Sequence, residues 1–97
     1  EELFGPVASI IRVKDDAEAV RVANDTSFGL GASVWSADKS RGEAVARQIS
    51  AGACFVNAIV RSDARLPFGG TKASGFGREL AEHGIHEFMN IKTIYVD

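Results

Sequence analysis

Short apolar runs at 7–13 (VASIIRV), 31–36 (GASVWS) and 53–57 (ACFVN) alternate with segments whose apolar residues recur one helical turn apart. This alternation is the strongest constraint on the fold, because strands joined by helices of this length pair in parallel through crossover connections. Lys14-Asp15-Asp16 stops the first run, and Asp15 or Asp16 can cap a helix reaching about Asn24, with Ala19, Val20 and Ala23 on its apolar stripe. Asn24-Asp25-Thr26-Ser27 is turn chemistry. Ser36 or Asp38 caps a second helix to about Ser50, with Val45 and Ile49 one turn apart, and Gly52 is placed to end it. A third helix is expected over 78–89 (Leu80, Ile85 and Phe88 on one side) and a last strand over 91–96 (IKTIYV). The expected fold class is α/β, a mainly parallel sheet with flanking helices, in the order β-α-β-α-β-loop-α-β.

The stretch 58–77 holds glycines and cations without a sustained period. Loops of that length inside a compact domain are usually functional or disordered. This one follows a parallel strand, where open α/β folds place their sites.

Charge and composition narrow the function. A formal charge of −2 with no basic stripe argues against neutralising many nucleic-acid phosphates. No apolar run approaches the roughly 18 residues of a spanning helix, so no membrane partner is expected. The single cysteine, Cys54, cannot close an internal disulfide, which suits a cytoplasmic location. The chain opens on two glutamates, without a signal-peptide pattern, and its only methionine is Met89. It is therefore expected to be part of something larger.

Residues 67–79 (PFGGTKASGFGRE) crowd four glycines, two phenylalanines and two cations into thirteen positions. A Walker loop needs G-x-x-x-x-G-K-[ST], but Gly69-Gly70-Thr71-Lys72 inverts that order and Ser74 is displaced. A dinucleotide fingerprint fails too, since Leu80 stands where the third glycine of Gly75-Phe76-Gly77 belongs. From composition alone the loop is a structural turn before it is a phosphate cradle.

The sequence EELFGP at 1–6 and the 67–79 motif together resemble the C-terminal part of the NAD(P)-dependent aldehyde dehydrogenase superfamily. Asn24 through Phe28-Gly29-Leu30 and GACFVN at 52–57 agree with that family's spacing, so the resemblance covers essentially the whole chain. RSDARLPFGG at 61–70 is most similar to the bacterial branch that oxidises succinate semialdehyde. The resemblance implies oxidation of an aldehyde to the acid through a cysteine thiohemiacetal and an acyl-enzyme, with NAD or NADP as cofactor. It also implies a division into 1–89, an incomplete part of the catalytic domain, and 90–97, a strand of an oligomerisation sheet. The parent would be a homo-oligomer, dimer or tetramer, acting on a small-molecule aldehyde. This chain alone would be inactive.

Site residues follow from the same resemblance. Glu2 matches the glutamate that accepts hydrogen bonds from nicotinamide-ribose hydroxyls, a role that suits an acceptor-only carboxylate. Phe4 and Leu30 match residues near the nicotinamide, and Phe68 matches a phenylalanine lining the aldehyde pocket beside Gly69-Gly70. Ser62 falls where semialdehyde-oxidising relatives bind the distal carboxylate, and Arg61 or Arg65 could strengthen that capture or be solvated charges. Arg78-Glu79 is expected to hold the loop to the following helix.

No catalytic residue is expected within the chain. Cys54, between Ala53 and Phe55, reads as a structural thiol, because the family's nucleophile belongs to a G-Q-x-C motif absent here. His83 and His86 lack companions at ligand spacing, and no metal is expected. The competing expectation, from a different class, is a free-standing α/β module that binds a partner without catalysis.

Overall fold

The computed structural model describes residues 4–97. Helix α1 (Asp16–Asn24) starts as its sequence requires. The Asp15 side chain accepts from the Glu18 amide at 2.8 Å, while the Glu18 carboxylate accepts from the Lys14 amide at 2.9 Å. This reciprocal arrangement satisfies amides that the first turn leaves without helical partners. Helix α2 (Lys39–Ala46) is capped by Asp38, which accepts from the Arg41 amide at 3.1 Å. Arg41 then ties α2 to α1 through a two-pronged pair with Asp16, at 2.7 and 2.6 Å.

Strands β1 (Phe28–Gly29), β2 (Gly31–Val34), β3 (Ala53–Val56) and β4 (Thr71–Lys72) form two small sheets. β2 and β3 run parallel, with Gly31 opposite Ala53 and Val34 opposite Val56, joined through α2 as a β-α-β unit. α2 lies close over this pair because it presents Gly42, where a Cβ would come within 2.9 Å of Val56 Cγ1. β1 pairs antiparallel with β4. The sheets meet at Gly29, whose carbonyl accepts from the Gly52 amide at 3.0 Å and the Thr71 hydroxyl at 3.3 Å.

The α/β character holds, but the expected mainly parallel sheet is reduced to one parallel pair and one antiparallel pair. Neither 7–13 nor 91–96 is a strand. Both have β-forming residues, but a strand exists only when its amides and carbonyls find a neighbouring strand, and these segments find none among the described residues. The 58–77 stretch is more ordered than its composition suggests. It contains β4, and Phe68 exchanges backbone hydrogen bonds with Glu79 at 2.8 and 2.7 Å. Helix α3 (Ala81–His86) is shorter than expected, because Leu80 and Ala81 take left-handed backbone angles (φ 67° and 50°) at its start. α2 likewise ends at Ala46, well before Gly52, so that glycine has another task.

No large apolar side chain is fully buried among the described residues. Exposed ones cluster at both ends of the chain: Phe4, Val7, Ile10 and Ile11 at one, Phe88, Ile91, Tyr95 and Val96 at the other. The accessible surface is 8170 Å², against roughly 5,400 Å² for a self-contained protein of this mass. The radius of gyration is 17.2 Å, where a compact domain would give about 13 Å. Local structure is therefore well specified while the apolar surface is left without a core. Expressed alone, the chain is expected to unfold in urea without a cooperative transition and to bind the dye ANS. A sharp two-state transition of a sedimenting monomer would contradict this.

Candidate functional site

The glycine-rich loop rests on the start of β3 through bare backbone. A Cβ at Gly52 would overlap the Gly69 carbonyl oxygen and come 2.7 Å from its carbon, so two backbones pass where no side chain fits. At Gly29 a Cβ would meet Thr71 Oγ1 at 2.5 Å and Ser50 O at 2.7 Å. Gly52 thus seats the loop rather than ending a helix.

Polar side chains fasten the seat. The Ser74 hydroxyl accepts from the Gly29 amide at 2.9 Å. Lys72, itself left-handed (φ 54°), donates from Nζ to the carbonyls of Asn24 (2.9 Å) and Thr26 (3.1 Å). The Asn24 side chain donates to Gln48 O at 2.9 Å and accepts from the Ser50 amide at 2.7 Å. One asparagine and one lysine therefore bind three separate segments. Neither stood out in the sequence as a site residue: Asn24 read as a helix end, turn chemistry and the start of a family-matching segment, and Lys72 as part of a failed Walker template. Arg78 donates to the carbonyls of Gly70 (2.9 Å) and Gly77 (2.6 Å), so it braces the loop against itself rather than against α3.

Leu30 and Phe68 come together on the wall of one cavity of about 480 Å³, closed by Gly69, Gly70, Arg78 and Phe88. Phe68 also faces a second depression of about 410 Å³, shared with Cys54, Arg61, Asp63 and Leu66. Ser62 is exposed and lines neither. Phe4 is 91% exposed and is not brought to Leu30 or Phe68. Glu2 lies outside the described residues.

The electrostatics of the second depression are set by Asp63. Its carboxylate accepts from Arg65 Nε at 2.9 Å and from the other guanidinium nitrogen at 2.7 Å, and also from the Arg65 amide at 3.0 Å. These bonds hold the Asp63 carboxyl well below the usual carboxylate range. Burial pushes the Cys54 thiol up, because β3 and its neighbours remove water that would stabilise a thiolate. His83 and His86 are exposed on α3, and no metal-holding group of three occurs among the described residues.

The sequence matches the model of the aldehyde dehydrogenase family over residues 1–94. The chain belongs to the aldehyde dehydrogenase family. It is 52% identical over 96 residues to the NADP(+) succinate-semialdehyde dehydrogenase 1 of Mycobacterium ulcerans (strain Agy99), covering 99% of this chain and 21% of that protein. It is 47% identical over 97 residues to the NAD(P)+ succinate semialdehyde dehydrogenase Sad of Escherichia coli (strain K12), again covering 21% of the relative. The structure superimposes with a TM-score of 0.93 on succinic semialdehyde dehydrogenase from Streptococcus pyogenes in complex with NADP+, at 45% identity, covering 99% of this chain and 21% of that one. The chain thus spans about a fifth of the length of the relatives it matches.

The lining of this cavity supplies apolar side chains and bare glycine backbone rather than acid–base groups placed to exchange protons. The cation in that lining, Arg78, is already committed to two carbonyls, which does not suit a phosphate cradle. In a longer dehydrogenase containing this segment, Gly52→Ala is expected to destabilise by about 1–3 kcal/mol, as overpacking does, measured by thermal unfolding. The raised Cys54 pKa means less thiolate. The peptide carrying Cys54 is therefore expected to alkylate with iodoacetamide at about pH 8 more slowly than a free thiol of ordinary pKa. Alkylation at or above the free-thiol rate would mark it as activated.

Proposed function

We propose that the chain is the C-terminal portion of an NAD(P)-dependent aldehyde dehydrogenase that oxidises an aldehyde, succinate semialdehyde in particular, to the carboxylic acid. The observation that carries this is the convergence of Leu30 and Phe68 on one cavity beside the glycine loop. Succinate-semialdehyde dehydrogenases among its relatives support the substrate.

The bound dinucleotide supplies a hydride acceptor. Leu30 lies on the nicotinamide side and Phe68 walls the aldehyde side, which brings the two reacting partners to one cavity. Glu2 accepts from the ribose hydroxyls, Phe4 packs near the nicotinamide and Ser62 meets the distal carboxylate. The nucleophilic cysteine and the general base belong to the rest of the enzyme, which makes this chain inactive by itself. Residues 1–89 complete the catalytic domain. Residues 90–97 become a strand when a partner supplies the missing ladder in a homo-oligomer.

The free-standing binding module loses support, because a self-contained domain would not leave 8170 Å² accessible without a buried apolar core. In the full-length protein, steady-state assay with succinate semialdehyde and either dinucleotide is expected to show acid formation with cofactor reduction. Phe68→Ala is expected to reduce kcat/KM by roughly tenfold to a hundredfold, since misplaced substrate forfeits orientation. Absence of aldehyde oxidation by the intact wild-type protein would sink the proposal.

A further inference from the structure

The ladder that joins the glycine loop to the chain ahead of Leu30 is only two pairs long, Phe28 opposite Lys72 and Gly29 opposite Thr71. Leu30 follows β1 directly, and Phe68 stands three positions before β4. Their meeting on one cavity therefore depends on the register of β1 against β4. So short a ladder specifies its own register weakly, and a slip of one position turns its side chains to the opposite face. Lys72 supplies what the ladder lacks. Its backbone is left-handed (φ 54°), a conformation that glycine or asparagine takes at lower cost, so the side chain is what lysine adds here. Nζ donates to the Asn24 carbonyl at 2.9 Å and the Thr26 carbonyl at 3.1 Å, at the end of α1, where aligned carbonyls favour a cation. The next residue, Ala73, donates its amide to the Ser27 carbonyl at 2.8 Å. The Asn24 side chain carries the tie onward to Gln48 and Ser50, just ahead of the Gly52 seat. A slip of β4 by one position would move Nζ by about 3.3 Å, away from both carbonyls.

We infer that Lys72 is a positioning residue for aldehyde oxidation: its clamp on the end of α1 fixes the register that brings Phe68 to Leu30. The inference rests on the dehydrogenase function proposed above. Lys72 is not in the lining of the cavity that Leu30 and Phe68 share, so it acts through those two side chains rather than on the substrate.

The test mixes succinate semialdehyde with an excess of the full-length enzyme loaded with dinucleotide and follows the reduced dinucleotide through a single turnover. At saturating enzyme the rate constant reports the geometry of the reacting centre and is unmoved by a loss of folded protein. Lys72→Met keeps the stem and removes the donors, and is expected to lower that rate constant roughly tenfold, as misplacement by a change away from the chemistry does. Lys72→Arg, still able to donate to two carbonyls, is expected to recover most of it. Lys72→Gly removes the side chain while easing the left-handed backbone, so it is expected to fold even where Lys72→Met does not, and to show the same fall. A wild-type rate constant in Lys72→Gly or Lys72→Met, with only yield or melting temperature changed, would overturn the inference and leave Lys72 a structural residue. A wild-type enzyme that oxidises no aldehyde would instead overturn the proposed function, and the inference with it.

Discussion

The close passage of backbone over backbone at Gly52 and Gly69 is the contact on which the rest of the site depends. It brings the glycine loop down onto the first residues of β3. The Gly29 carbonyl can then accept from Gly52 on one side and Thr71 on the other. A side chain at Gly52 or Gly29 would hold the segments apart and weaken the hydrogen bonds linking the two sheets, whereas one at Gly69 would press on Gly77 and Arg78 within the loop. Leu30 follows Gly29 directly and Phe68 precedes Gly69. Their meeting on one cavity is therefore a consequence of the backbone contact rather than of attraction between the two side chains.

Around that seat, polar side chains replace the apolar packing that a larger domain would provide. Asn24 spans to Gln48 and Ser50, Lys72 reaches Asn24 and Thr26, and Ser74 takes the Gly29 amide. Each bond is modest in water, but together they join segments up to 48 positions apart. The arrangement is ordered locally while its apolar surface remains open. That combination is expected of a piece whose hydrophobic partners lie in other parts of a larger protein.

Charge near the Phe68 wall is locally neutralised. The Asp63–Arg65 pair spans only two positions and satisfies itself, so its effect is to remove charge from the depression rather than to add stability, which exposed pairs contribute little of. Cys54 borders the same depression, where burial pushes its thiol up and disfavours the thiolate.

The sequence alone located the starts of α1 and α2 to within two candidate caps each, the β2-α2-β3 unit and the family, because these rest on local chemistry and on long motifs in fixed order, and the structure chose Asp15 and Asp38 as the caps. The expected strands at 7–13 and 91–96 are unpaired in this chain, since β-branched composition records a preference for pairing but not whether a partner is present. In the sequence Gly52 read as a helix stop and Asn24 as a helix end and turn residue. A close approach between positions 17 apart, or an amide bridging 24 and 26, leaves no local trace. Only the tertiary structure decided which arginine is already engaged and which glycine bears the loop, because both depend on the distances between segments that the fold brings together.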